Sequence, residues 1–303
     1  GIGSDGGGSI RVPAHFSGIC GLKPTPGRIP IAGHWPESGG PFALLGVVGP
    51  MARSVEDLEL LFRVVAGFDG GDPMAAPITL REIAQEELKS VAIGYFEEHP
   101  DVPVTRETRA VVQKAAFALR DSGFRVEAFL PDVLREARKH WWTLFVRLAA
   151  ELLTPEFKGR ESELSTILRY SDRPPTKEDL LTAWFKRDEL RLRLIQQMSS
   201  VPILICPVCS VPAFRHDERE WNVNGKRVSY MDAMSYTQWF NLLGNPAVVL
   251  PVGRSPQGLP VGVQIVGQPN AEELVLIVAR VLEQAMDLSR RAPVSLDSTV
   301  AAV

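Results

Sequence analysis

Between Val91 and Leu130 the chain switches between two hydrophobic periods, and this switch restricts the folds open to it more than any other stretch. Val91 to Tyr95 is a short β-rich run, Thr105 to Ser122 repeats its apolar residues at helical spacing up to Gly123, and Phe124 to Leu130 alternates apolar residues with outward charges. A strand, a helix and a strand in that order predict an α/β fold in which helices pack on a sheet. No repeat period or low-complexity tract competes with this reading.

The flanking segments fit the same layers. Ser54 to Ala66 reads as an amphipathic helix capped by Ser54, acidic in its first turn and stopped by Gly67. Leu134 to Leu153 places Leu134, Ala137, Trp141, Leu144, Phe145, Leu148 and Leu152 on one helix face, with Trp142 outside the stripe. A second helix is expected from Thr176 to Met198, a buried strand from Val201 to Val211 and a helix from Tyr230 to Leu243. Strands at Ala247 to Val252 and Gly262 to Val266 follow, then a helix opened by an Asn270 and Glu273 capping box. The tail from Ser289 is expected to be mobile. With 45% hydrophobic and 23% charged side chains, 303 residues can bury a substantial core.

Charge and cysteines narrow the function classes. The formal charge of −3 comes from interspersed residues, so nothing marks a nucleic-acid partner. Three cysteines make no disulfide framework, and no signal-peptide pattern is present. The longest apolar stretch, Val201 to Phe214, is too short for a transmembrane segment and is broken by prolines. A soluble cytoplasmic protein is the default, with a homodimer as an open assembly.

Chemistry concentrates at the amino terminus. Gly3-Ser4-Asp5-Gly6-Gly7-Gly8-Ser9-Ile10-Arg11 is followed by Val12-Pro13, which reads as extended. Consecutive glycines leave backbone N–H groups free to converge, and a hydroxyl beside them is the arrangement acyl transfer needs for a developing oxyanion. Gly1, Gly3 and Gly6 satisfy Gly-x-Gly-x-x-Gly, but Pro13 argues against a helix right after them and the first later acid is Glu37, so a dinucleotide site is rejected. No Lys-Ser or Lys-Thr follows for a phosphate loop, and Arg11 replaces the last glycine of a nucleophile elbow. Two readings stay open from spacing alone: a structural turn, or an oxyanion nest carrying Ser9.

Longer matches separate them. Gly3 to Ala14, Phe16-Ser-Gly-Ile-Cys-Gly-Leu-Lys-Pro-Thr25 and Gly27-Arg28 resemble the second half of the amidase signature, the motif of serine amidases that use a Ser, cis-Ser, Lys triad. The resemblance continues through Gly49 to Asp57, Tyr236 to Ala247 and Gly258 to Gly267, and leaves about residues 132 to 200 without a counterpart. Val91 to Tyr95 and Gly123 to Pro131 are similar to the fatty-acid-amide branch. It implies a single amidase-signature domain, a mixed β-sheet core flanked by α-helices, with a variable helical region at about 132 to 200 that shapes the substrate pocket. Because the chain opens on Gly1 and the family's lysine and bridging cis-serine precede the nucleophile loop, its amino-terminal part is expected to be missing.

Carried onto this sequence, the resemblance makes Ser9 the acylated nucleophile, Gly6, Gly7 and Gly8 (with Ser9) the oxyanion donors, and Asp5 and Arg11 supports of the loop. The usual loop has a larger residue where this chain has Gly6, which should loosen it. Lys23 falls in a scaffold segment and is not cast as the base. The implied reaction is hydrolysis of a small-molecule amide through an acyl-enzyme, without cofactor, and nearly inactive in these 303 residues alone. The amidase-like component of a tRNA-dependent amidotransferase is the alternative, disfavoured by Ala43-Leu-Leu-Gly-Val-Val-Gly-Pro50, which lacks that branch's acid. A non-catalytic protein of the same fold is a third.

Other constellations weigh less. Cys206-Pro-Val-Cys209 has zinc-knuckle spacing but no second pair, so two buried thiols are expected and no metal. His15 lies close to Ser9 in sequence, yet the resembled family uses no histidine in its relay. Trp141, Trp142, Leu144 and Phe145 either fill the core, line an acyl channel, with Trp141 and Phe145 as its wall, or rest on a membrane surface.

Overall fold

The computed structural model describes residues 1–36, 39–163, 171 and 173–288. The expected mobile tail from Ser289 lies outside them, as does part of the segment between the two central helices. The chain forms strands β1 (Ile2–Asp5), β2 (Cys20–Lys23), β3 (Val47–Ala52), β4 (Ala92–Tyr95), β5 (Arg125–Ala128), β6 (Ile203–Pro207), β7 (Glu220–Val223), β8 (Lys226–Ser229), β9 (Ala247–Arg254) and β10 (Pro260–Gly267). Eight of them make one sheet in the order β1-β3-β2-β9-β10-β6-β4-β5. Pairing is antiparallel from β1 through β6 and parallel from β6 through β4 to β5, a mixed sheet as the resemblance implies. β7 and β8 form a separate hairpin over Asn224-Gly225, both at positive φ, the geometry a two-residue hairpin turn favours.

Strand alternation divides the core between two helical layers. Val248, Leu250 and Val252 of β9 and Val261, Val263 and Ile265 of β10 face helices Val55–Val65, Arg106–Asp121 and Glu272–Ala285. Leu204, Cys206, Ala247 and Val266 face the opposite way, toward the Leu134–Leu153 region and helices Lys177–Gln197 and Ser235–Leu243. Gln264, buried in β10 on this second side, is a polar residue among aliphatic ones. The functional loop lies over that side.

Local chemistry explains the element boundaries. Ser54 Oγ accepts the Asp57 N–H at 3.2 Å, and Gly67 follows at φ 127°. Thr176 and Asp179 form a reciprocal capping box, at 3.1 and 3.0 Å, that opens Lys177–Gln197. The expected box at Asn270 and Glu273 does not form: Asn270 sits at φ 64°, its N–H goes to Thr25 Oγ1, and Glu273 accepts from Arg28 and the Arg81 N–H. Val12-Pro13 is also not extended, because Arg11–Ser17 is a helix with Pro13 in its first turn, where a missing N–H leaves no intrahelical bond unmade. The helix expected from Tyr230 to Leu243 breaks at Met234 into Tyr230–Ala233 and Ser235–Leu243. The Leu134–Leu153 stretch holds together, but its middle, Trp142–Arg147, widens into a π-helical turn.

Candidate active site

The loop hangs between the end of β1 and the helix at Arg11, and Asp5 ties the two together. Its Oδ1 accepts the Gly8 N–H at 2.7 Å, and its Oδ2 accepts the Ile10 and Arg11 N–H groups at 3.2 and 3.4 Å, capping that helix with a negative charge. The Arg11 guanidinium forks onto the same carboxylate, Nε to Oδ2 and Nη2 to Oδ1, both at 3.0 Å. Both residues are buried. The other guanidinium contacts reach Gln264 Oε1, the Thr237 carbonyl and Asn241 Oδ1, while Asn241 Nδ2 donates to the Asp5 carboxylate and to the Leu45 carbonyl. Burial raises the Asp5 pKa, but the Arg11 charge and hydrogen bond, with Lys23 and Asn241, outweigh it and hold the carboxyl well below the usual range.

The backbone of the loop can be accounted for group by group. The Gly6 carbonyl accepts the Trp141 indole N–H at 2.8 Å, the Gly7 carbonyl faces the Thr237 hydroxyl at 2.9 Å, and the Gly8 carbonyl accepts the Val12 N–H at 2.7 Å. The Gly8 N–H is spent on Asp5, so Gly8 differs from the expected donor set. The N–H groups of Gly6, Gly7 and Ser9 have no acceptor among the described residues. Gly8 sits at φ 122°, a conformation that favours glycine.

Ser9 is exposed at the head of a cavity of about 330 Å³. Ile31, Trp35, Phe42, Phe145 and Phe157 make its wall predominantly apolar. Phe145 therefore lines the cavity, but Trp141 does not: it is buried with its ring stacked on Phe145 at 5.4 Å and its N–H turned onto the loop. Leu144 is core, and half-buried Trp142 lines a separate basic cleft of about 710 Å³ with Arg135, Lys139 and Arg147, sharing no residue with the Ser9 cavity. At Gly6, where the family loop has a larger residue, the space is occupied by another side chain. A Cβ there would stand 2.2 Å from Phe145 Cζ, so the Phe145 ring fills the space that a larger residue would need.

No titratable side chain among the described residues hydrogen-bonds Ser9. His15 is buried, with Nδ1 accepting the Gly262 N–H at 2.7 Å and Nε2 3.3 Å from the Val211 carbonyl, and burial pushes its pKa down to about 4 despite those two bonds. Lys23 is buried too, its pKa lowered to about 7 first by burial and then by the Arg11 charge, and its ammonium donates to the Pro24 carbonyl at 2.7 Å. Cys206 and Cys209 are buried thiols with pKa values pushed up by burial, the latter to about 12, and no cluster of metal-ligating residues occurs among the described residues. Thr237, Asn241 and Gln264 had no role in the sequence reading, although polar side chains inside an apolar helix and strand were the signal.

The amidase family pattern matches residues 1–276. This chain belongs to the amidase family. It is 31% identical over 326 residues to a component of the glutamyl-tRNA(Gln) amidotransferase of Synechococcus sp. (strain JA-3-3Ab), covering 96% of this chain and 61% of that protein. It is 28% identical over 310 residues to the fatty acid amide hydrolase of Arabidopsis thaliana, covering 98% of this chain and 50% of that protein. The solved structure of 6-aminohexanoate cyclic dimer hydrolase complexed with substrate superposes with a TM-score of 0.77 at 27% identity, over 96% of this chain and 65% of that one. The chain thus spans between half and two thirds of the length of these relatives.

Proposed function

We propose that these residues carry the nucleophile half of an amide hydrolase whose substrate has a non-polar acyl group. The observation that carries the reading is the exposed Ser9 hydroxyl at the head of an apolar cavity, beside backbone N–H groups of Gly6, Gly7 and Ser9 that have no acceptor among the described residues. Ser9 Oγ attacks the amide carbonyl, these donors hold the tetrahedral oxyanion, and the C–N bond breaks as the amine takes a proton. Water then adds to the ester and releases the acid. Asp5 and Arg11 keep the loop in shape. The base is supplied from beyond the described residues, by the lysine and bridging serine that the family resemblance implies, since His15 and Lys23 are committed elsewhere.

The aromatic wall suits an alkyl or aryl acyl group better than the polar side chain of glutamine, which favours a free-standing hydrolase over a component of an amidotransferase. The interspersed charge supports a small-molecule substrate rather than a nucleic acid, and the reading includes a cytoplasmic homodimer, which sedimentation of the full-length protein would detect. In the full-length protein, a series of fatty and aryl amides should be hydrolysed, and Ser9→Ala should lower kcat by about 10³-fold or more. Undiminished turnover by Ser9→Ala would overturn the assignment.

A further inference from the structure

The hydrogen bonds on the carbonyl side of the loop point to an assignment that rests on the reading of Ser9 as nucleophile. We propose that Trp141 is a positioning residue that sets the Gly6–Gly7 peptide plane and with it the direction of the Gly7 oxyanion donor. In a trans peptide the C=O and N–H point in opposite directions, so gripping the carbonyl fixes the amide hydrogen of the next residue. Trp141 Nε1 donates to the Gly6 carbonyl at 2.8 Å, which turns the Gly7 N–H away from the indole and leaves it without an acceptor among the described residues. The next peptide is held differently: its N–H, that of Gly8, meets Asp5, while Thr237 Oγ1 lies 2.9 Å from both the Gly7 and the Met234 carbonyls. A loop of three glycines has little torsional preference of its own, so its donors are preorganised only if something outside the loop holds the planes.

The indole is suited to that task. Trp141 is completely buried and lines no part of the cavity, so it cannot act by touching the substrate. A Cβ on Gly7 would come 2.6 Å from Trp141 Cζ2, which shows how closely the ring is laid on the loop. Phe145, four residues on and within the π-helical stretch that begins at Trp142, stacks on the indole at 5.4 Å while its own edge meets Gly6. One helix therefore supplies both a clamp for the Gly7 donor and a wall for the cavity.

Trp141→Phe in the full-length protein keeps the aromatic packing and deletes the N–H. The expected result is a kcat lowered between about 10- and 100-fold, less than outright loss of a donor, with KM changed less than about twofold. Affinity for an alkyl trifluoromethyl ketone, which forms a tetrahedral oxyanion on an active serine, should fall by a similar factor, whereas a non-reactive amide competitor should bind as before. If the melting temperature shows that Trp141→Phe does not fold, benzothienylalanine at position 141, which keeps the fused ring and replaces its N–H with sulfur, carries the test and should show the same split. Unchanged kcat and ketone affinity in a folded variant would overturn the proposal, as would a raised KM at constant kcat, which would make Trp141 part of the binding wall. Failure of the nucleophile reading is distinguishable, because it would appear as undiminished activity in Ser9→Ala.

Discussion

Asp5 and Arg11 are both buried away from solvent, so neither could be charged in the core alone. Each satisfies the other in a bidentate fork, and Asn241, Gln264 and three backbone N–H groups complete the set. Removing one partner strands the other, so Asp5→Asn should destabilise the protein by about 3–5 kcal/mol in urea denaturation. The pH dependence has a sign. Because the folded carboxyl titrates below its unfolded value of about 3.9, its contribution is complete above that value and is lost as pH falls further. His15 acts in a separate window: lowered to about 4 from 6.5 by burial, its contribution is full above 6.5 and declines as pH falls toward 4. His15→Asn should flatten stability between those two values while leaving the more acidic limb in place. The supporting roles of Asp5 and Arg11 were legible by resemblance, but the partners that make them work lie more than 200 positions away and leave no local pattern.

At the scale of elements, the helix through Leu134 to Leu153 matters most. Its apolar stripe was visible in the spacing, and Trp141 and Leu144 are core residues as that stripe requires. The π-helical turn was not visible, since a single wide turn barely disturbs the period. Phe145, which lies within that turn, stands where the Gly6 side chain would be, so residues 6 and 145 exclude one another. Gly6→Ala should therefore cost about 1–3 kcal/mol of stability through overpacking, and Phe145→Ala in the same chain should relieve most of that loss, as a double-mutant cycle in urea would measure. The β7–β8 hairpin went unread although Asn224-Gly225 is a strong turn signal. Pro13 misled for a related reason: proline excludes a helix interior but not a first turn.

Across the whole molecule, sheet order does what local sequence cannot. β1 joins the sheet through β3, while β2 pairs with β9, so the amino-terminal loop is brought against the segments that follow residue 230. Strand-helix-strand alternation was enough to indicate a layered α/β architecture, because burial imposes those periods on any sequence that forms such layers. Pairing order between distant strands has no period, and the resemblance implied only that the sheet is mixed. The same holds for the cavity, whose wall draws on residues 31 to 48 and 145 to 157 at once. Every catalytic role proposed for the loop depends on Ser9 being an activated nucleophile within this framework. Fluorophosphonate treatment of the full-length protein, followed by peptide mass spectrometry, tests that most directly. One phosphonyl adduct is predicted on the peptide containing Ser9, abolished by Ser9→Ala; an unmodified Ser9 peptide, or labelling that persists in Ser9→Ala, would contradict it.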